Sequence, residues 1–156
     1  MTISGNDDVR WMRLALEEAE NAILHNDVPV GAVAVRDGKI IGRGHNRREI
    51  DGDPTAHAEV IALREASQVV GEWRLERVTL YVTLEPCCMC AGAIQLARIP
   101  RLVYATIDPK AGCAGSIMDV LRNPHTTHTI DIDVGLYADE AAAQLRRFFQ
   151  TMRDGE

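Results

Sequence analysis

An α/β layer fold with a mixed central sheet is the architecture that this sequence predicts, on three observations. Stretches with helical spacing alternate with short β-rich runs along the chain, which implies helices packed against a sheet. An Asp37-Gly38 pair between two β-rich runs marks a tight hairpin, so at least one strand pair is antiparallel and the sheet is mixed. Hydrophobic residues make up 46% of the 156 positions, enough for one core in a chain too short for two typical domains. Residues 1–156 are therefore expected to form a single domain, with 1–6 and 154–156 flexible.

The elements follow from local pattern. Val9, Met12, Leu16, Ala19 and Ile23 recur at three- and four-residue steps, which predicts a helix with Asn6 or Asp7 as its cap. After Pro29, Val30 to Val35 reads as a strand, and Lys39 to His45 as its return beyond the hairpin turn. The polar stretch 46–55 contains Gly52 and Pro54 and reads as a loop. Ala56 to Gly71 has helical spacing, with Gly71 suited to its C-terminal end. Val78 to Leu84 is β-rich and ends at Pro86. A helix is expected from about Cys87 to Arg98, a strand from Leu102 to Ile107, and a short helix near Ile117 to Leu121. Thr129 to Val134 alternates like a strand, and Ala138 to Met152 reads as a final amphipathic helix.

Composition excludes several classes. No run approaches the ~18 apolar residues of a membrane span, and the first ten residues carry Asp7 and Asp8 in place of a secretory core, so a cytoplasmic protein is expected. A formal net charge of −6 argues against indiscriminate binding to nucleic acid, because that mode depends on neutralising phosphates; a local basic face remains compatible with it. Three of the four cysteines, Cys87, Cys88 and Cys90, fall within four positions, with Cys113 apart. Such clustering suits metal binding or redox chemistry better than a disulfide framework.

The chemistry-bearing residues are His57 and the Cys87/Cys90 pair. Residues three apart on a helix share a face, so two thiolates could meet one ion, and imidazole with soft sulfur favours zinc. A structural zinc site is closed by four protein ligands, whereas a catalytic one keeps a position for water. A fourth ligand would have to come from Cys113, Cys88, His45, His125 or His128. Cys88 is badly placed, since i and i+2 diverge across a helix, and none of the others sits in a second cluster. Three ligands plus water is the expectation, with Cys88 and Cys113 as small buried apolar groups. Glu59 would supply the carboxylate that takes and returns a proton. Helix geometry puts His57 and Glu59 on nearly opposite sides, so their meeting requires a distorted helix start.

His57-Ala58-Glu59 followed by Pro86-Cys87-Cys88-Met89-Cys90 matches the signature of the cytidine and nucleotide deaminase superfamily. Further stretches resemble the bacterial tRNA-specific adenosine deaminases: 29–33 (Pro-Val-Gly-Ala-Val), Asn46-Arg47, 53–59, 83–86, 91–94, 115–121 and 147–149, so the likeness runs from about residue 9 to residue 153. The first of these are shared across the superfamily; the last two are more specific. The resemblance implies a cytidine-deaminase-like three-layer α/β/α fold, one zinc ion per subunit on His57, Cys87 and Cys90, and Glu59 as proton shuttle. It implies attack of activated water at C6 of adenine, protonation of N1, and loss of ammonia to give inosine at the wobble position of a tRNA anticodon stem-loop. By the same resemblance Asn46 hydrogen-bonds the base, Val30 packs on its face, and the backbone of Ala58 reads its edge. Asp108 and Lys110 face neighbouring nucleotides, Phe148 and Phe149 lie near the RNA, and the protein is a homodimer.

Two departures from the family pattern are Thr126-Thr127-His128, where relatives often show Asn-His, and the ending Asp154-Gly155-Glu156 without a basic tail. Both bear on RNA binding and neither on the metal. Candidate phosphate contacts are Arg98, Arg101, Lys110, Arg122, Arg146, Arg147 and Arg153, although spacing alone reads them as ordinary surface charge. Two rival functions share the motifs: a guanine or cytosine deaminase acting on the free base, favoured by the acidic charge, and a non-catalytic zinc domain, which requires a fourth protein ligand. Which tRNA is edited, how much of it is needed, whether DNA is tolerated and how a dimer is arranged are not encoded in any local pattern.

Overall fold

The structure, a computed structural model, describes residues 5–126 and 128–155. Thr127, part of the departure noted above, and the ends 1–4 and 156 lie outside the described residues. Helix α1 (Gly5–Ile23) starts earlier than its periodicity suggests. Asn6 and Asp7 thus fall inside its first turn instead of capping it, and Asp7 and Asp8 place negative charge at the positive helix end. Strands β1 (Gly31–Arg36) and β2 (Lys39–His45) form the expected hairpin. Asp37 and Gly38 both take positive φ, 52° and 73°, as a two-residue turn matched to strand twist requires.

The loop that follows contains one helical turn, α2 (Arg48–Asp51). Then come α3 (Ala58–Val70), β3 (Thr79–Leu84), α4 (Cys88–Leu96), β4 (Arg101–Thr106), β5 (Asp131–Val134) and α5 (Ala138–Asp154). Asp154 therefore closes the last helix, where a flexible end was expected. The expected helix at 117–121 is absent. Residues 112–122 instead form turns, because their backbone is spent elsewhere: Ala114 and Ser116 donate their N–H groups to Glu85, Ile117 to the Gly112 carbonyl and Val120 to the Cys113 carbonyl.

The sheet runs β2-β1-β3-β4-β5, antiparallel across its first two pairs and parallel across the last two. Strand alternation sends Ala32, Ala34, Leu80, Val82, Leu102 and Tyr104 to one face, where they pack with Ala58, Ala62, Ala66, Ala91 and Ile94 of α3 and α4. Val33, Val35, Tyr81, Val103 and Ala105 face the other way, onto Trp11, Met12 and Ala15 of α1 and Ala141 of α5. This is the three-layer α/β/α arrangement with a mixed sheet. An Asp8–Arg101–Asp133 ion-pair group, at 2.9 and 2.7 Å, ties α1 to β4 and β5. Among the described residues no helix is long and apolar enough to cross a membrane.

Helix α3 lies directly on β2, and glycine makes that approach possible. A Cβ at Gly42 would meet the Ala62 carbonyl, and one at Gly44 the Ala58 carbonyl. Gly44→Ala is expected to cost about 1–3 kcal/mol through overpacking, read as a lower urea midpoint. An unchanged midpoint would mean that α3 shifts freely, contrary to the close fit described.

Candidate active site

Two helix starts and the end of β3 bring the chemistry together. His57 is the residue before α3, with extended backbone at φ −86° and ψ 150°, so it stands outside the helix and Glu59 stands in its first turn. The opposition expected from helical spacing therefore does not arise, and no distorted helix start is needed. Cys87 likewise precedes α4, at φ −73° and ψ 176°, while Cys90 lies in that helix's first turn. The two thiols converge across a helix boundary, not along one helical face as the spacing suggested.

His57 Nδ1 lies 3.6 Å from Cys87 Sγ and 3.4 Å from Cys90 Sγ. All three donor atoms fall within 4.8 Å of one another, and no other such group of three occurs among the described residues. Donors about 2.0–2.3 Å from one tetrahedral ion sit roughly 3.5 Å apart, so both donor type and spacing fit zinc. The fourth-ligand candidates are engaged elsewhere or lie apart. His45 pairs with Glu18 at 3.0 Å, His128 Nε2 lies 2.7 Å from the Ile99 carbonyl, and His125 is exposed and outside the group.

Cys88 and Cys113 correct an expectation. They are joined in a disulfide across 25 residues, and Cys88 is exposed, so the pair is not two separate apolar groups. The cause is the helix boundary. Starting α4 at Cys88 turns this thiol away from Cys87 and Cys90 and toward the 112–114 turn, at a Cα separation of 5.0 Å. Closing a loop of this size constrains the unfolded chain by about 3 kcal/mol. The Cys88→Ser/Cys113→Ser protein is thus expected to melt at lower temperature than the oxidised parent with its zinc content unchanged. Equal melting temperatures would show that the bridge contributes nothing.

The cavity beside the metal group has a volume of about 180 Å³ and is lined by Val28, Val30, Asn46, Arg48, His57 and Glu59 on one side. Leu84, Glu85, Cys87, Asp108 and Ala111 complete it. Glu59 is buried, and burial pushes its carboxyl up to about 7, assisted by negative charge on Cys87 and opposed by its own backbone amide, His57 and Cys90. The Cys90 thiol and then His57 hold Cys87 down at about 3 against the effect of burial, and Cys90 is pushed up in turn. One sulfur of the pair is therefore readily a thiolate, the form a metal takes.

Asn46 is also buried, and its Oδ1 accepts the Ala58 N–H at 2.9 Å. Because a backbone N–H must meet oxygen, this bond orients the amide with its NH₂ group away from Ala58. It also commits the Ala58 N–H to Asn46. Val30 lines the same cavity.

Glu85 was missed by sequence reasoning although it precedes the signature proline. It is buried, and its carboxylate accepts the N–H groups of Asp108 (3.0 Å), Ala114 (3.0 Å) and Ser116 (3.1 Å) together with the Ser116 hydroxyl. Burial would raise its pKa, and these hydrogen bonds outweigh that and hold it below the ordinary carboxylate value. Glu85 thereby places the turn that carries Asp108, whose side chain in turn caps the N–H groups of Lys110 and Ala111. Val28, Arg48, Leu84 and Ala111 were missed as well, since their part depends on which chain segments meet.

Of the larger clefts away from the metal group, two hold residues relevant to binding. One, of about 590 Å³, is lined by Lys110, Arg146, Arg147, Phe149, Gln150 and Arg153. Phe149 is 45% exposed there, whereas Phe148 is 8% exposed and turned into the protein, so the structure brings neither ring to the metal cavity. The other, of about 420 Å³, is an apolar groove between α3 and α4 lined by Val60, Leu63, Trp73, Ala93 and Leu96 among others. Of the remaining cations, Arg101 is held by Asp8 and Asp133, and Arg122 by Asp119 and the Ala114 carbonyl. Arg98 bonds the Gln95 carbonyl beside Trp73. All three have partners within the protein.

The profile of the MafB19-like deaminase family matches residues 6–153. The chain is 46% identical over 148 residues to a tRNA-specific adenosine deaminase of Haemophilus influenzae, covering 94% of this chain and 86% of that protein. It is 42% identical over 154 residues to a tRNA-specific adenosine deaminase of Streptococcus pyogenes, covering 99% of this chain and 97% of the other. A solved structure from a study of A-to-I editing by tRNA:A34 deaminases at the wobble position of transfer RNA superposes with a TM-score of 0.84. It is 46% identical, with 87% of this chain and 99% of that chain covered.

Proposed function

Because the chain belongs to the family of the tRNA-specific adenosine deaminases, we propose that it hydrolyses adenosine to inosine at the wobble position of a tRNA anticodon stem-loop. The observation that carries this reading is the convergence of His57, Cys87 and Cys90 beside a buried Glu59 in a cavity that also holds Asn46. Those three residues would hold one zinc ion per subunit, which when bound supplies the Lewis acidity that makes water a nucleophile at neutral pH. Residues 6–153 act as one deaminase domain.

The chain's own groups account for the remaining steps. Asn46, fixed by the Ala58 N–H, presents its amide to the edge of an adenine, and Val30 supplies an apolar wall for the ring. Glu59 takes one proton from the attacking water and delivers it to N1. Glu59 then takes the second from the hydroxyl added at C6 and delivers it to the amino nitrogen, which leaves as ammonia as the C6 carbonyl forms. Its raised pKa suits both directions of transfer near neutrality. A base that is part of a nucleic acid must leave its stack to reach such a buried site, which an anticodon loop allows. Lys110, Arg146, Arg147 and Arg153 around Phe149 form a basic cleft that supplies the local positive charge an acidic protein needs to hold RNA. The apolar groove between α3 and α4, where Trp73 and Leu96 are 52% and 69% exposed, is suited to a second copy in a homodimer. Cytoplasmic tRNA is the substrate pool consistent with this reading.

The test is direct. Purified zinc-loaded protein is incubated with anticodon stem-loops carrying adenosine at the wobble position, and the products are sequenced for inosine. Ammonia release from free guanine and cytosine is measured in parallel. Editing of the RNA with no release from the bases is expected. Turnover of a free base without RNA editing would refute the assignment in favour of a small-substrate deaminase.

A further inference from the structure

We propose that Arg48 is a substrate contact, held in position by Asp27, that binds a phosphate of the nucleotide carrying the target base. This rests on the RNA reading above and adds to it a residue that no motif marks. Asp27 is fully buried and spends its carboxylate completely. Its Oδ1 accepts the Val28 N–H at 2.9 Å and the Arg48 Nε and Nη2 groups at 3.2 and 3.1 Å, while its Oδ2 accepts the Glu49 N–H at 2.9 Å. These bonds hold the Asp27 carboxyl below its ordinary value although burial alone would raise it. One edge of the Arg48 guanidinium is thereby anchored. Its other edge is left for a further acceptor, and the side chain is 39% exposed.

The position of that edge gives it a use. Arg48 lines the metal cavity, and it is the one permanent cation among the described residues that do so; Glu59, Glu85 and Asp108 are the acidic members. A polyanionic strand delivering a base to an acidic mouth needs a cation where its backbone bends inward, and a planar guanidinium matches phosphate geometry. Because Asp27 already immobilises the side chain, little ordering remains for the substrate to impose. The neighbouring Arg47 supplies an internal contrast. It too is held through its Nε–Nη2 edge, by Asp51 in a bidentate pair at 3.0 Å, but it does not line the cavity. The fold thus pairs both adjacent arginines through the same edge and turns only Arg48 to the site.

The experiment uses zinc-loaded full-length protein and synthetic anticodon stem-loops. In one set, each phosphodiester flanking the target adenosine is replaced in turn by a neutral methylphosphonate. Arg48→Gln is expected to raise KM about tenfold with kcat nearly unchanged, as loss of a charge-assisted hydrogen bond does. The slope of log KM against log salt is expected to fall by about 0.7, the share of one phosphate on a single strand. One neutral linkage should raise KM for the parent protein and leave the Arg48→Gln protein unaffected, whereas Arg47→Gln should behave as the parent at every linkage. Arg48→Lys, which keeps the charge and loses the fork, should keep the salt slope and the linkage sensitivity and show a smaller rise in KM. If Arg48→Gln fails to fold, Arg48→Met, which also removes the charge, is read in its place. Effects that multiply independently at every linkage, or an unchanged KM and slope, would overturn the assignment of Arg48 while leaving the RNA reading intact. If the parent protein edits no stem-loop, the RNA reading itself fails, which is recognisable because all variants are then equally inactive.

Discussion

Replacing Glu59 by glutamine is expected to leave the protein folded and zinc-loaded while inosine formation falls by about 10²–10⁴-fold, the range that a positioned general acid–base contributes. The reasoning is geometric first. Glu59 lies in the first turn of α3, fully enclosed beside His57, Cys87 and Cys90, and glutamine preserves its shape in a packed setting. What glutamine removes is the ability to accept and return a proton. Burial holds the native carboxyl near 7, so at neutral pH it exchanges protons at small cost in either direction, and no other carboxylate in the cavity can substitute. Glu85 is committed to four hydrogen bonds, and Asp108 caps its own turn. Single-turnover rates on the stem-loop, measured beside elemental analysis for zinc, check this. A Glu59→Gln protein that edits at the parental rate would remove the proton-shuttle role, and one that has lost its metal would show that Glu59 supports the zinc group itself.

Loss of either thiolate has a different expected signature. Cys87→Ala and Cys90→Ala should lose zinc and thermal stability together, with activity falling to background. Each sulfur is one of three donors in the group found among the described residues, and an ion bound to the native state alone stabilises that state by mass action. Binding energies for zinc held by such ligands reach about 10–16 kcal/mol in small domains. A drop of many degrees in melting temperature is therefore expected, and a strong chelator should reproduce it with the parent protein. The Cys88→Ser/Cys113→Ser protein is the control, since its sulfurs lie outside the metal group and its melting temperature should fall without loss of zinc. If Cys90→Ala keeps a full complement of zinc, the three-donor site is wrong and another residue must complete it.

Much of the fold was readable from local pattern because its determinants are local. The Asp37-Gly38 turn, the strand from Lys39 to His45 and the closing role of Gly71 all follow from neighbours in the chain, and all occur where expected. Failures cluster where distant groups compete for the backbone. The helix expected near Ile117 loses its hydrogen bonds to Glu85, Gly112 and Cys113. Arg101, offered as a phosphate contact, is claimed by Asp8 and Asp133 from other elements.

The residue types at 57, 59, 87 and 90 determine by themselves that the protein carries a zinc-type donor set and a carboxylate, since ligand softness and acidity are properties of side chains. Tertiary structure alone decided the rest. It set His57 and Cys87 just outside their helices, so that their side chains meet groups which ideal helical spacing would have kept apart. It also chose Arg48 over Arg47 as the cation in the cavity, through an aspartate 21 positions earlier. Spacing along a chain constrains only neighbours within a turn or a strand. Which buried carboxylate a cation finds depends on the packing of the whole molecule, where an unpaired charge is too costly to leave.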